Sequence, residues 1–134
     1  MRQINYLFVH CSDTSSAHDV HAADIKRWHK ERGWKNPGYH DLITRSGATE
    51  HLLDFNEVAN GVKGYNARSI HVCLAGGKEN GKPSNNFTAL QFNALRKYIM
   101  QVKRQFPHIL IRGHNEVAAR DCPCFNVQEF LKTC

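Results

Sequence analysis

Hydrophobic positions along the chain follow two rhythms. Short apolar runs rich in β-formers occur at Ile4–His10, Ser69–Ala75 and Ile109–Arg112. Runs of this length between polar or glycine-bearing segments predict buried strands. Tyr39–Thr44 and Ala48–Leu53 flank Arg45-Ser46-Gly47, which is a hairpin pattern. A helical period governs two other stretches. Over Val20–Arg32, Ile25, Trp28 and His29 share one face, Lys26, Arg27, Lys30 and Glu31 lie on others, and Gly33 supplies a stop. Over Thr88–Phe106, an apolar stripe runs through Leu90, Ala94, Leu95, Tyr98, Ile99, Val102 and Phe106. Thr88 with Gln91 makes a capping box for this helix, and Pro107 ends it. Asn126 with Glu129 predicts a second box for a short helix over Val127–Lys132. Cys11–Asp19 and Lys78–Asn86 read as polar loops, and Asp54–Asn66 shows no single period.

This order predicts an α/β fold: one domain over residues 1–134, with a mixed central β-sheet flanked by helices. The strand, long helix and strand from Ser69 to Arg112 should form a right-handed parallel crossover. There is no internal repeat and no linker-like segment. The longest apolar stretches are far short of the roughly 20 residues that span a bilayer, so no membrane insertion is expected.

Charge narrows the partner class without choosing one. Eighteen Lys and Arg against twelve Asp and Glu give a net +6, which favours an anionic polymer, nucleic acid or membrane face. The charge is spread along the chain, and no nucleic-acid-binding motif accompanies it. The five cysteines are odd in number and follow no leader-like segment. The expectation is therefore a chain made and kept reduced in a cytoplasm, not a disulfide framework.

Nine histidines require sorting. His18, His21, His51 and His108 lie in polar contexts and should be exposed. His29 shares the Trp28 face and reads as a core histidine. His10 and His114 stand at strand ends, where functional groups of open α/β sheets gather. Cys122 follows His114 by eight residues, with Pro123 next to it. Two imidazoles and a thiolate make a borderline-soft set suited to Zn²⁺, and three protein ligands leave a fourth position for water. From spacing alone, two loop histidines and one buried thiol are the simpler account. Glu116 is a helix cap or a partner of a ligand. Cys124 is either a neighbouring thiol of Cys122 or half of a redox pair. Cys11 should face away from His10 if its strand stays regular. Trp28 and Trp34 read as core, and Cys134 as an inert terminal thiol.

The pattern as a whole changes the balance. It comprises Val9-His10-Cys11-Ser12, Arg27-Trp28-His29-Lys30 through Gly33-Trp34, Gly38-Tyr39-His40, Lys63-Gly64-Tyr65-Asn66 with Ser69-Ile70, Gly113-His114-Asn115-Glu116-Val117, and Asp121-Cys122-Pro123. In these motifs the chain resembles the zinc-dependent N-acetylmuramoyl-L-alanine amidases. Among them it is most similar to the phage lysozymes of amidase type, relatives of the peptidoglycan recognition proteins. The resemblance implies Zn²⁺ held by His10, His114 and Cys122, and Tyr39 as a catalytic residue. It implies hydrolysis of the amide between N-acetylmuramic acid and L-alanine by metal-activated water.

The departures from the family are as informative as the matches. The phage enzymes carry a lysine where this chain has Arg120. An arginine donates hydrogen bonds but does not shuttle protons, so Arg120 is expected only to stabilise charge. Cys73 matches the phage branch, where another branch has a glutamate. Gly61 stands where a loop histidine is common, and His71 where a glycine is usual. By the resemblance, the partners are peptidoglycan or muropeptides, with no nucleic acid expected and the protein a monomer. The enzyme would reach the wall after release from the cytoplasm, or act on imported muropeptides. A non-catalytic peptidoglycan-binding module of the same fold is the alternative, and a basic nucleic-acid binder ranks last.

Overall fold

A computed structural model describes residues 2–134. Its five-stranded sheet is built from β1 (Tyr6–Cys11), β2 (Asp41–Ile43), β3 (Thr49–His51), β4 (Ser69–Leu74) and a last strand, β7 (Leu110–Gly113). Between β4 and β7 lie two short strands, β5 (Lys78–Glu79) and β6 (Lys82–Pro83), which form a separate two-stranded ribbon. The helices are α1 (Ala22–Glu31), α2 (Ala89–Gln105) and α3 (Val127–Leu131). Strand order is β3-β2-β4-β1-β7. All neighbours are parallel except β2 and β3, so the sheet is mixed as expected. The chain leaves β4, runs through α2, and returns as β7 on the far side of β1, parallel to both.

Alternation along the strands sorts side chains onto two faces. Register pairs Leu7 with Ile70, Val9 with Val72, Ile43 with Leu74 and Leu7 with Ile111. These residues form one apolar core with Leu95, Ile99 and Val102 of α2 and Val127 and Phe130 of α3. The intervening positions Phe8, His10, His71, Cys73 and Leu42 point to the other face. There Cys73 and Leu42 pack with Val20 and Ile25, while Trp28 and Tyr39 lie over them. One face of the sheet is thus mainly apolar, with Asp41 buried in it and bonded by the Tyr98 hydroxyl at 2.6 Å, and the other mixes aromatic, imidazole and thiol groups.

Several boundaries differ from the sequence expectation. β1 begins at Tyr6 and continues through Cys11. α1 starts at Ala22, because His21 occupies the N-cap, where Asp24 accepts its backbone N–H at 2.9 Å. The β2–β3 hairpin is shorter than its apolar runs. The reciprocal Thr88–Gln91 box is present. At α3, Asn126 accepts from Glu129 N at 3.0 Å, but the Glu129 carboxylate meets Lys132 instead of closing a box. Leu90, read as part of the α2 stripe, is 59% exposed. Gln91 is fully buried beside it. Its amide donates to the carbonyls of Ile43 (3.2 Å) and Ala75 (2.9 Å), so it ties α2 to the ends of β2 and β4. The Lys78–Asn86 stretch is not simply a loop. Asn80 and Gly81 both adopt positive φ (51° and 75°), which turns the chain into the β5–β6 ribbon.

Candidate metal centre and cleft

Three elements converge where β1 ends. β1 presents His10 on its mixed face. The end of β7 passes into a 3-10 turn that carries His114, and the loop before α3 brings in Cys122. Glu116 fixes the turn by accepting the Gly113 N–H at 2.6 Å, so it serves as a cap. One ligand atom from each of His10, His114 and Cys122 lies within 4.8 Å of the other two. The structure therefore brings these three residues together. His10 is 1% exposed and His114 8%.

The donor set fits a cation such as zinc. His10 turns Nδ1 toward Cys122 Sγ, 3.9 Å away, and engages His71 Nδ1 through Nε2 at 2.8 Å. Burial depresses the His10 pKa well below 6.5, and the neighbouring His71, His114 and Arg120 push it further down. Burial, then Arg120, depresses that of His114 as well. Both imidazoles are thus held neutral, with a lone pair free for a metal. The backbone N–H of Cys11 donates to Cys122 Sγ at 3.1 Å and helps to hold the sulfur at the cluster.

The group sits in a cleft of about 810 Å³ lined by residues from α1, the segment before β2, and the Val117–Cys124 loop. Tyr39 stands beside His10, with ring centroids 5.0 Å apart. Burial and the surrounding thiols of Cys73, Cys122 and Cys11 raise its pKa well above 10, so its hydroxyl is a protonated donor. Arg120 lines the same cleft, is exposed, and forms no ion pair among the described residues. Trp28 and Trp34 are half-buried and form part of the cleft wall as well as packing. His29 is a core histidine, as its face predicted, and its Nδ1 accepts from Gly38 N at 2.8 Å.

Cys11 departs from expectation. Its thiol does not face away from the cluster but lies within hydrogen-bonding reach of Cys122 and Cys124; the contact with Cys122, then burial, raises its pKa strongly, while that with Cys124 lowers it. The strand pleat ends at this residue, so alternation no longer constrains its side chain. Sequence reasoning also missed the contact between His71 and His10. The available signal was strand parity: His71 is paired with Phe8 and Cys73 with His10, which puts His71 diagonally next to His10 on the same face.

Comparison with known proteins follows this geometry. The family model described as N-acetylmuramoyl-L-alanine amidase matches residues 1–125. An endolysin of Enterobacteria phage K11 is 41% identical over 133 residues, covering 98% of this chain and 88% of that protein. Among solved structures, the N-acetylmuramoyl-L-alanine amidase LysC from Clostridium intestinale superposes with a TM-score of 0.83 at 22% identity, covering 98% of this chain and 85% of that one. Drosophila PGRP-LB superposes at 0.75 with 22% identity, covering 92% and 76%. With a family match over nearly its whole length and a close phage relative, this chain belongs to the N-acetylmuramoyl-L-alanine amidase family and is an amide hydrolase of that class.

Proposed function

We propose that residues 1–134 act as one zinc-dependent amidase domain that cleaves the bond between the lactyl group of N-acetylmuramic acid and L-alanine in peptidoglycan. The observation that carries this reading is the convergence of His10, His114 and Cys122 within 4.8 Å at the floor of a cleft. These three residues hold the ion. When bound, Zn²⁺ supplies Lewis acidity that activates water and polarises the scissile carbonyl.

The remaining groups act on charge and position. Tyr39, kept protonated by its buried site, donates a hydrogen bond to the oxyanion that develops on the carbonyl. Arg120 reaches over the cleft and adds positive charge there. A guanidinium does not shuttle protons, so the leaving amine takes its proton from elsewhere. The net +6 surface suits a polymer that bears stem-peptide carboxylates. The name of the K11 relative supports a role in lysis of the host wall. No helix among the described residues is long and apolar enough to cross a membrane.

The direct test is mass spectrometry of products from purified peptidoglycan, with zinc-loaded and chelated protein in parallel. Free stem peptides beginning at L-alanine, lost on chelation, are expected. Intact muropeptides from both samples would replace this reading with a non-catalytic binding module.

A further inference from the structure

We propose that His71 is a positioning residue that fixes the tautomer and orientation of His10, so that His10 presents Nδ1 to the metal. The inference rests on the zinc reading above.

His10 has two ring nitrogens with different neighbours. Nδ1 faces Cys122 Sγ at 3.9 Å, and Nε2 meets His71 Nδ1 at 2.8 Å. A neutral imidazole carries its one proton on a single nitrogen. For Nδ1 to bind a cation, the proton must sit on Nε2 and be donated to His71 Nδ1. His71 must then accept at Nδ1 and carry its own proton on Nε2. Its Nε2 is buried and has no hydrogen-bonding partner among the described residues. Among the described residues no other hydrogen bond to the His71 ring opposes this arrangement, so His71 accepts at Nδ1 and holds the His10 proton on Nε2.

The surroundings hold the acceptor in place. His71 is fully buried, stacked between the Phe8 ring (centroids 5.7 Å, 15°) and the His40 ring (6.1 Å, 3°). The His71 backbone N–H donates to His40 Nδ1 at 3.0 Å, which ties the strand to the next ring in the stack. On the remaining side lies Gly61. A β-carbon there would fall inside the contact distance of the His71 ring atoms, Nδ1 nearest. The absence of a side chain at 61 is what lets the His71 ring occupy this position. Burial, then His40, His114 and Arg2, depresses the His71 pKa, which agrees with a neutral acceptor. Partners of this kind on a metal-bound histidine commonly change metal affinity by 10–100-fold.

The test compares zinc affinity, by chelator competition, of the whole protein and two variants. His71→Leu fills the site without an acceptor. His71→Asn places an amide oxygen near the position of Nδ1. The expected result is zinc binding by the unmodified protein, a 10–100-fold loss in His71→Leu, and recovery to within a few-fold in His71→Asn. Thermal unfolding without metal separates a folding defect from a metal defect. Equal affinity in His71→Leu and the unmodified protein, or equal loss in both variants, would overturn the proposal. An unmodified protein that takes up no zinc would overturn the zinc reading itself, and the proposal with it. If the variants do not fold, nitrogen-15 correlation of the imidazoles in the zinc-loaded unmodified protein decides. A His10 proton on Nε2 supports the proposal, and a proton on Nδ1 ends it.

Discussion

Two sets of histidines in this molecule have opposite electrostatic fates. His10, His29, His40, His71 and His114 are buried on or near the mixed face of the sheet, with no carboxylate hydrogen-bonded to any of the rings. All five have depressed pKa values, and burial is the leading cause in each. His21 and His51 lie at the exposed end around the β2–β3 hairpin, each held between two carboxylates: Glu50 and Asp19 for His21, Asp41 and Asp54 for His51. Hydrogen bonds to those carboxylates raise both, His21 to about 9. The same side chain is thus pushed toward the neutral form in one region and toward the charged form in the other. Among the described residues, three ligand atoms converge only within the buried set. Burial with no carboxylate hydrogen-bonded to the rings, among the described residues, prepares imidazoles for a soft cation, whereas carboxylate partners would favour the imidazolium form.

The largest effect is expected from the ligand that completes the neutral set. Cys122→Ser should abolish zinc binding at ordinary metal concentrations and reduce turnover to background while the fold persists. Metal content after dialysis and stem-peptide release measure both, and full activity would remove Cys122 from the ligand set. Tyr39→Phe should retain zinc yet lose about 10²–10³-fold in kcat, the usual cost of an oxyanion donor. Unchanged kinetics would exclude the hydroxyl from the reaction.

Next comes acid stability, where the two histidine sets pull in opposite directions. His29 and His40 have pKa values near 4, and each uses Nδ1 to accept a backbone N–H, from Gly38 and His71 respectively. Above pH 6.5 both folded and unfolded chains leave these rings neutral. Below it the unfolded chain takes up protons that the folded chain refuses. Stability should therefore fall as pH drops from 6.5 toward 4, by at most roughly 3 kcal/mol for each ring. His51 has the reverse sign: its contribution is complete below pH 6.5 and is lost as pH rises through its raised folded value. Proton NMR titration of the imidazole Cε1–H signals reads both sets in one experiment. Midpoints near 6.5 for His29 and His40 would erase the contrast.

A smaller effect of about 1–3 kcal/mol is expected for Gln91→Ala, which leaves the Ala75 carbonyl without its buried side-chain donor and the Ile43 carbonyl with only the Ala75 N–H. The smallest is His51→Ala. It breaks an exposed pair with Asp54 and a part-buried one with Asp41, which keeps the Tyr98 hydroxyl as donor at 2.6 Å, and should cost about 1 kcal/mol in chemical denaturation, with zinc affinity unchanged.

Much of the architecture was legible along the chain because its signals are local. The Thr88–Gln91 box, the apolar run of β4 and the proline after α2 each act within a few residues. The β5–β6 ribbon, read as a loop, left one local signal in Asn80-Gly81, but its flanking residues are largely polar and gave no hydrophobic alternation. Leu90 and Gln91 exchanged their expected places for a non-local reason. The first turn of α2 lies over the ends of β2 and β4, where the buried Ala75 carbonyl needs a donor more than another apolar contact.

The sequence by itself determined the element types, the α/β class and, through its ordered motifs, the family and the residues worth testing. Those properties depend on spacing and residue chemistry within short windows. Only the tertiary structure decided that His10 gives Nδ1 to the cluster, that His71 meets its other nitrogen, that Cys11 turns toward Cys122, and that burial holds the imidazoles neutral. These depend on parallel register between strands distant in sequence and on exclusion of water from one face of the sheet. No local pattern encodes either.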